Sequence, residues 1–295
     1  DWADVSARLQ DNAGFAVEHI EVRDDEVIVQ GEQTRYRDEA IALNRAARVL
    51  DNSLGEGNYD WYTLVNSNYG MPMSEQSIRA EGLRDWEQNR ADDAGLRRAM
   101  VHTETSTRGG ERVHEEPLEP FDWGVSLGYV QNLGGPDGFI LYQFLANFNA
   151  EYRFRRNSWV SGSIGVNLTN NFDKFEVDGP SALPRVRTDI RRYLTDSDEV
   201  LENLQYTYTH RYSRDIYAMG YFGLLENMFG GVGGEVLYRP FNSNIALGVD
   251  VNWVKQRGFK QDFSFRDYST MTGHVTSYWQ TNFYNTLVKT SAGRY

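Results

Sequence analysis

Apolar and polar residues alternate with a period of two through most of the C-terminal half of the chain. Over residues 139–154 the even positions Ile140, Tyr142, Phe144, Ala146, Phe148, Ala150, Tyr152 and Phe154 are apolar or aromatic, whereas Gln143, Asn147, Asn149, Glu151 and Arg153 stand at odd ones. Alternation this long exceeds the usual strand of a globular protein. The pattern recurs over 160–168, 204–212 and 245–253, and in weaker form over 232–238. Residues two apart on a strand share a face. Each segment therefore predicts a strand with one apolar, aromatic face and one small or polar face.

The first part of the chain reads differently. A short helix is expected over 5–10 and strands over 15–22 and 27–30. Asp38 caps a helix whose apolar stripe is Ala40, Leu43, Ala47 and Leu50. After the glycine-containing turn at 54–58 come a strand over 59–65 and a helix over 74–90 capped by Ser74, continuing or restarting over 91–101. Thr103, Thr105, Gly109, Gly110 and the prolines at 117 and 120 make 102–120 irregular. This divides the chain into a small α/β module at 1–58, a helical and irregular connecting segment at 59–120, and a β region at 121–295.

Charge and aromatic content sharpen the division. Residues 1–120 carry 25 acidic and 13 basic side chains, the whole net charge of -12, and 8 aromatic residues against 32 in the remainder. An acidic chain of this kind speaks against a nucleic-acid partner. The absence of cysteine removes disulfides, thiolate metal sites and cysteine nucleophiles. No run of about 18 apolar residues is present, which excludes a spanning helix.

Strands with aromatic outer and polar inner faces predict an antiparallel transmembrane β-barrel, with Trp123, Tyr129, Trp159, Tyr212, Trp253, Tyr278 and Trp279 as interfacial girdles. Short connections at 133–138 and 155–157 contrast with a long charged one at 170–202 that contains Pro180 and Pro184. About nine strands ending beside Ser291-Ala292-Gly293 predict a barrel left incomplete within this stretch. Asp1 opens no signal peptide or lipidation motif, so the N-terminus reads as cut or processed.

Candidate chemistry is sparse. The glycine run at 229–235 lacks the GK[ST] ending of a phosphate loop, and close strand approach or room on the inner face explains it better. Five scattered histidines offer no metal site, and no cofactor is expected. Glu235 and Asp250 fall on the polar faces of adjacent strands, where paired carboxylates would suit a glycosidase. Lumen charges paired with Arg239 or Arg211 are the plainer reading, and no catalytic residue is assigned. Asp189, Arg191, Arg192, Asp196, Asp198 and Glu199 form a charge cluster in the long connection. Polar-face groups able to hydrogen-bond sugar hydroxyls are Asn147, Asn149, Arg153, Asn167, Gln205, Arg211, Glu235, Arg239, Asp250 and Asn252.

The block Leu224-Leu225-Glu226-Asn227-Met228-Phe229-Gly230-Gly231-Val232-Gly233-Gly234-Glu235-Val236-Leu237-Tyr238-Arg239-Pro240-Phe241, continued by 246–257, closely resembles the YjbH/GfcD family of outer-membrane proteins from exopolysaccharide and group 4 capsule operons. Thr34-Arg35-Tyr36-Arg37 with Ala40 and Ala46-Ala47-Arg48-Val49-Leu50 resembles the small periplasmic unit of the same family. The resemblance implies a lipoprotein of the bacterial outer membrane with its N-terminal module in the periplasm. It also implies a role in exopolysaccharide secretion, with the glycan, outer-membrane lipid and secretion proteins as partners. The expected function is a passive, non-enzymatic conduit or export accessory for a hydrated glycan. The alternatives are a membrane-associated hydrolase using the carboxylates and a non-conducting scaffold.

Overall fold

The computed structural model describes residues 1–105, 109–135, 138–174, 189–281, 283, 284 and 286–294. Pro136 and Asp137 of the expected turn, and Pro180 and Pro184 of the long connection, lie outside the described residues. The chain forms two units, Asp1–Leu118 and Glu119–Tyr295.

In the first unit, α1 (Trp2–Arg8) and a π-helical turn (Leu9–Ala13) lead through Gly14 into β1 (Phe15–Arg23) and β2 (Glu26–Gln33). Gly14 has φ +60, and a Cβ there would meet Arg35 Cβ at 2.4 Å, so this turn needs glycine. α2 (Glu39–Leu54) follows, capped by Asp38, whose Oδ1 accepts from the backbone N–H of Ala40 and of Ile41. The remaining elements are β3 (Trp61–Asn68), β4 (Met71–Arg79), α3 (Ala80–Glu87), α4 (Asp93–Ala99), β5 (Met100–Thr103) and β6 (Glu111–Glu115). The sheet order is β5-β4-β3-β2-β1-β6. β2 and β3 pair in parallel because α2 carries the chain across, whereas the other neighbours are antiparallel.

Leu43, Ala46, Ala47 and Leu50 of α2 pack with Phe15, Ile20, Val29, Tyr62, Ile78 and Leu83 in one core. Ala40, expected in that stripe, is exposed. The helix expected over 74–90 is a strand as far as Arg79, and the helix starts at Ala80. Pairing of β4 with β3 overrides the local helical pattern. Within the core, buried Asp51 accepts from Tyr62 Oη at 2.8 Å and from Arg84 Nη2 at 2.8 Å. Burial and this carboxylate push the Tyr62 phenol up.

The second unit is an antiparallel sheet of β7 (Phe121–Gly135), β8 (Gly138–Arg155), β9 (Ser158–Asn170), β10 (Glu199–Arg211), β11 (Ile216–Leu224), β12 (Phe229–Tyr238), β13 (Ile245–Arg257), β14 (Phe265–Gln280) and β15 (Leu287–Arg294). Each strand pairs with its neighbours in sequence, and the order β15 to β7 ends at two different strands. The sheet is open. The transmembrane β-barrel is thereby overturned, and with it the outer-membrane barrel assignment and the conduit, because an open sheet encloses no lumen. A period of two specifies the strands and their faces. Closure depends on pairing between the first strand and the last, and on strand tilt and stagger, none of which the period encodes. No helix among the described residues is long and apolar enough to cross a membrane.

One row across the apolar face runs Phe121, Tyr152, Val160, Tyr206, Phe222, Val232, Trp253 and Met271, one residue from each of eight strands. Trp123 stacks on Phe148 and Tyr206 packs on Phe222, with ring centroids 5.8 and 5.3 Å apart. This face is open: Leu127 is 80% exposed and Trp253 47%. The polar face is the more enclosed one, with Thr207 and Thr209 each 2% exposed.

At one end of the sheet the fully buried Arg257 donates to five carbonyls, those of Leu201, Glu202, Glu226, Gln261 and Asp262, at 2.8 to 3.3 Å. Burial lowers its pKa. A helix, α5 (Ile190–Thr195), packs here, with Tyr193 Oη donating to the Arg257 carbonyl at 2.5 Å. The charge cluster around 189–199 is thus partly built into the fold. Asp189 accepts from Gln256, the Arg192 guanidinium lies 3.6 Å from the Phe259 ring centre, and Asp198 accepts from Asn167.

Candidate functional site

Two adjacent rows of the polar face hold its densest network. One reads Arg153, Trp159, Thr207, Tyr221, Gly233, Asn252 and Thr272, and the other Thr209, Met219, Glu235, Asp250 and His274. Tyr221 on β11 reaches across β12 and donates to Asn252 Oδ1 on β13 at 2.6 Å. The crossing passes over Gly233, where a Cβ would lie 2.0 Å from Asn252 Oδ1 and 2.6 Å from the Tyr221 ring. Gly233 thus makes room for side chains on this face.

Asn252 Nδ2 donates to Asp250 Oδ2 at 3.1 Å, and His274 Nδ1 lies 3.1 Å from the same oxygen. Glu235 stands directly opposite Asp250 on the neighbouring strand. Burial, followed by the Asp250 and Glu235 charges, raises the Tyr221 phenol pKa. The arginine partners expected for the carboxylates are not what holds Asp250, and Arg211 instead donates to the Ser213 and Arg214 carbonyls of its own turn.

Only Glu235, Asp250 and Asn252 of the ten candidates converge here. On β8, Asn149 donates to Ser126, and Arg153 pairs with Glu151 at 2.5 Å. Asn147 Oδ1 is buried without a partner, as is Asn167 Oδ1, whose amide NH2 serves Asp198. Gln205 donates to Thr207, and the Arg239 backbone N–H donates to Asp215. β8 and β13 are five strands apart in the sheet order. A shallow cavity of about 300 Å3 lies over β7–β10, lined by Asn149, Glu151, Ser161, Ser163 and Asn203.

Tyr221 and His274 were not among the candidates. The signal for His274 is present, since Thr270, Thr272, His274 and Thr276 alternate with Met271, Val275 and Trp279. No group of three or more metal-ligating side chains occurs among the described residues. The Asp250 carboxylate is tied to two neighbours on its own face, Asn252 and His274.

The sequence model of the family described as YjbH, exopolysaccharide biosynthesis protein YbjH, matches residues 1–295. The chain belongs to the YjbH family. A YjbH relative from Escherichia coli (strain K12), named as an uncharacterized lipoprotein, is 35% identical over 298 residues, covering 97% of this chain and 42% of the relative. The chain thus spans less than half the length of that YjbH protein. No solved structure matches it. The YjbH resemblance carried by 224–241 and 246–257 is borne out over the full chain.

Proposed function

We propose that this chain is a membrane-held, non-conducting scaffold of exopolysaccharide production. The observation that carries the reading is the continuous apolar face of the second unit, which leaves rings and aliphatic side chains open across eight strands. A face of this size requires a cover. Lipid suits it, since aromatic and aliphatic side chains mix across the face and the E. coli relative is named a lipoprotein. The polar face then turns toward glycan and partner proteins, with Asn147, Asn149, Arg153, Asn167, Gln205, Arg211, Glu235, Arg239, Asp250 and Asn252 as contact candidates. Family membership supports exopolysaccharide as the polymer served. The scaffold needs no catalytic pair.

Flotation with phosphatidylethanolamine and phosphatidylglycerol vesicles tests the reading. The full chain rises with the vesicles, whereas a Leu127→Glu, Val249→Glu, Val251→Glu variant with unchanged circular dichroism stays behind. A wild-type chain that remains at the bottom contradicts the proposal. Step conductance in a planar bilayer contradicts its non-conducting part.

A further inference from the structure

The first unit contains a cavity that the sheet of the second does not explain. It measures about 250 Å3 and lies between the N-terminal turn of α2 and strands β2, β3 and β4. Its size falls below the roughly 300–1,000 Å3 of pockets for drug-sized ligands, which fits a single small ring. Phe15 and Leu64 are buried apolar lining, and half-exposed Tyr36 supplies an aromatic ring.

The polar lining is organised by the protein itself. Gln33 Oε1 accepts from the backbone N–H of Arg35 at 2.8 Å and of Tyr36 at 2.9 Å, which turns the chain and fixes Tyr36 beside the cavity. Asn66 Oδ1 accepts from the Gln33 backbone N–H at 3.1 Å, which leaves the amide NH2 as a donor. Glu39 is held by Gln76 Nε2 and by Ser74 Oγ, with His102 Nδ1 at 3.9 Å. Donors and acceptors thus both stand over an apolar floor.

Ligand classes differ in how they would meet this lining. A simple anion meets the Glu39 carboxylate beside Arg37, a metal ion meets that same cation and only one carboxylate among amides, and a hydrocarbon strands the amides without partners. A ring with hydroxyls that both donate and accept, and with an apolar C–H face for Tyr36, satisfies all of them. We infer that this cavity binds one sugar residue of a glycan chain, with Tyr36 stacking on the ring and Asn66, Gln76 and Glu39 bonding its hydroxyls. The inference rests on the exopolysaccharide role proposed above and assigns the first unit a share in it.

The test is calorimetric titration of the full chain with short oligosaccharides from partial hydrolysis of the producing strain's exopolysaccharide. Tyr36→Ala and Asn66→Ala each weaken binding by about tenfold, and Tyr36→Phe, which keeps the ring, retains it. Melting curves verify that each variant is folded. Equal affinity in wild type, Y36A and N66A overturns the assignment, as does a wild-type chain that binds none of the oligosaccharides. Vesicle flotation of the same preparations separates the two ideas, because a chain that floats but fails these titrations loses the pocket and keeps the scaffold.

Discussion

Tyr221 and Asn252 are hydrogen-bonded at 2.6 Å although a whole strand, β12, lies between the strands that carry them. The bond exists because Gly233 has no side chain to block it. Gly233→Ala pushes both side chains aside and costs about 1–2 kcal/mol in the melting of the second unit. Tyr221→Phe alone costs about 1 kcal/mol. The double variant costs little more than Gly233→Ala, since both changes remove one bond. Additive losses in a thermal or urea denaturation cycle contradict this coupling.

Arg257 binds together segments far apart in sequence. Its guanidinium serves β10, the 225–228 turn and the 258–264 turn, and Arg257→Met leaves five carbonyls, that of Gln261 buried and most of the others partly so, short of a donor. The expected loss is about 3 kcal/mol or more. Denaturant midpoints of the full chain measure it. An unchanged midpoint shows that water replaces the guanidinium without cost.

The first unit is expected to lose stability in mild acid. His19 is partly buried near Arg112, and burial followed by that charge lowers its pKa below 6.5. The unfolded chain therefore binds the proton more readily than the folded one. His19 contributes its full stability above about pH 6.5, and that contribution falls as pH drops through the depressed folded value. Melting temperatures at pH 7.5 and 5.5 expose a destabilisation on acidification that His19→Gln reduces. Glu21, held below its ordinary value chiefly by the Gly110 N–H and Arg112 against the opposing effect of burial, adds a loss only at lower pH.

Much of this architecture is legible in the sequence, and the misses have physical causes. Alternation through Phe144, Phe148 and Tyr152 places β8 and both its faces, because a period of two is a local property. Whether β7 pairs with β15 is not local, and there the barrel expectation fails. Ser74 to Arg79 reads as the start of a helix, but pairing with β3 draws those residues into the sheet. At the candidate site, Glu235, Asp250 and Asn252 follow from alternation, and their coming together follows from strand order. Tyr221 crosses a neighbouring strand, which requires knowing that Gly233 lies beneath it. The family was readable from the block around Gly230–Gly234.

The central claim, that the apolar face of the open sheet lies against lipid, is tested most directly by tryptophan quenching. Trp123, Trp253 and Trp279 stand on or beside that face at 60%, 47% and 51% exposure. A chain whose other tryptophans are replaced by phenylalanine is mixed with vesicles containing brominated phospholipid. Strong quenching of these three indoles by bromines in the acyl chains is the expected result. Fluorescence unchanged by the brominated lipid contradicts it.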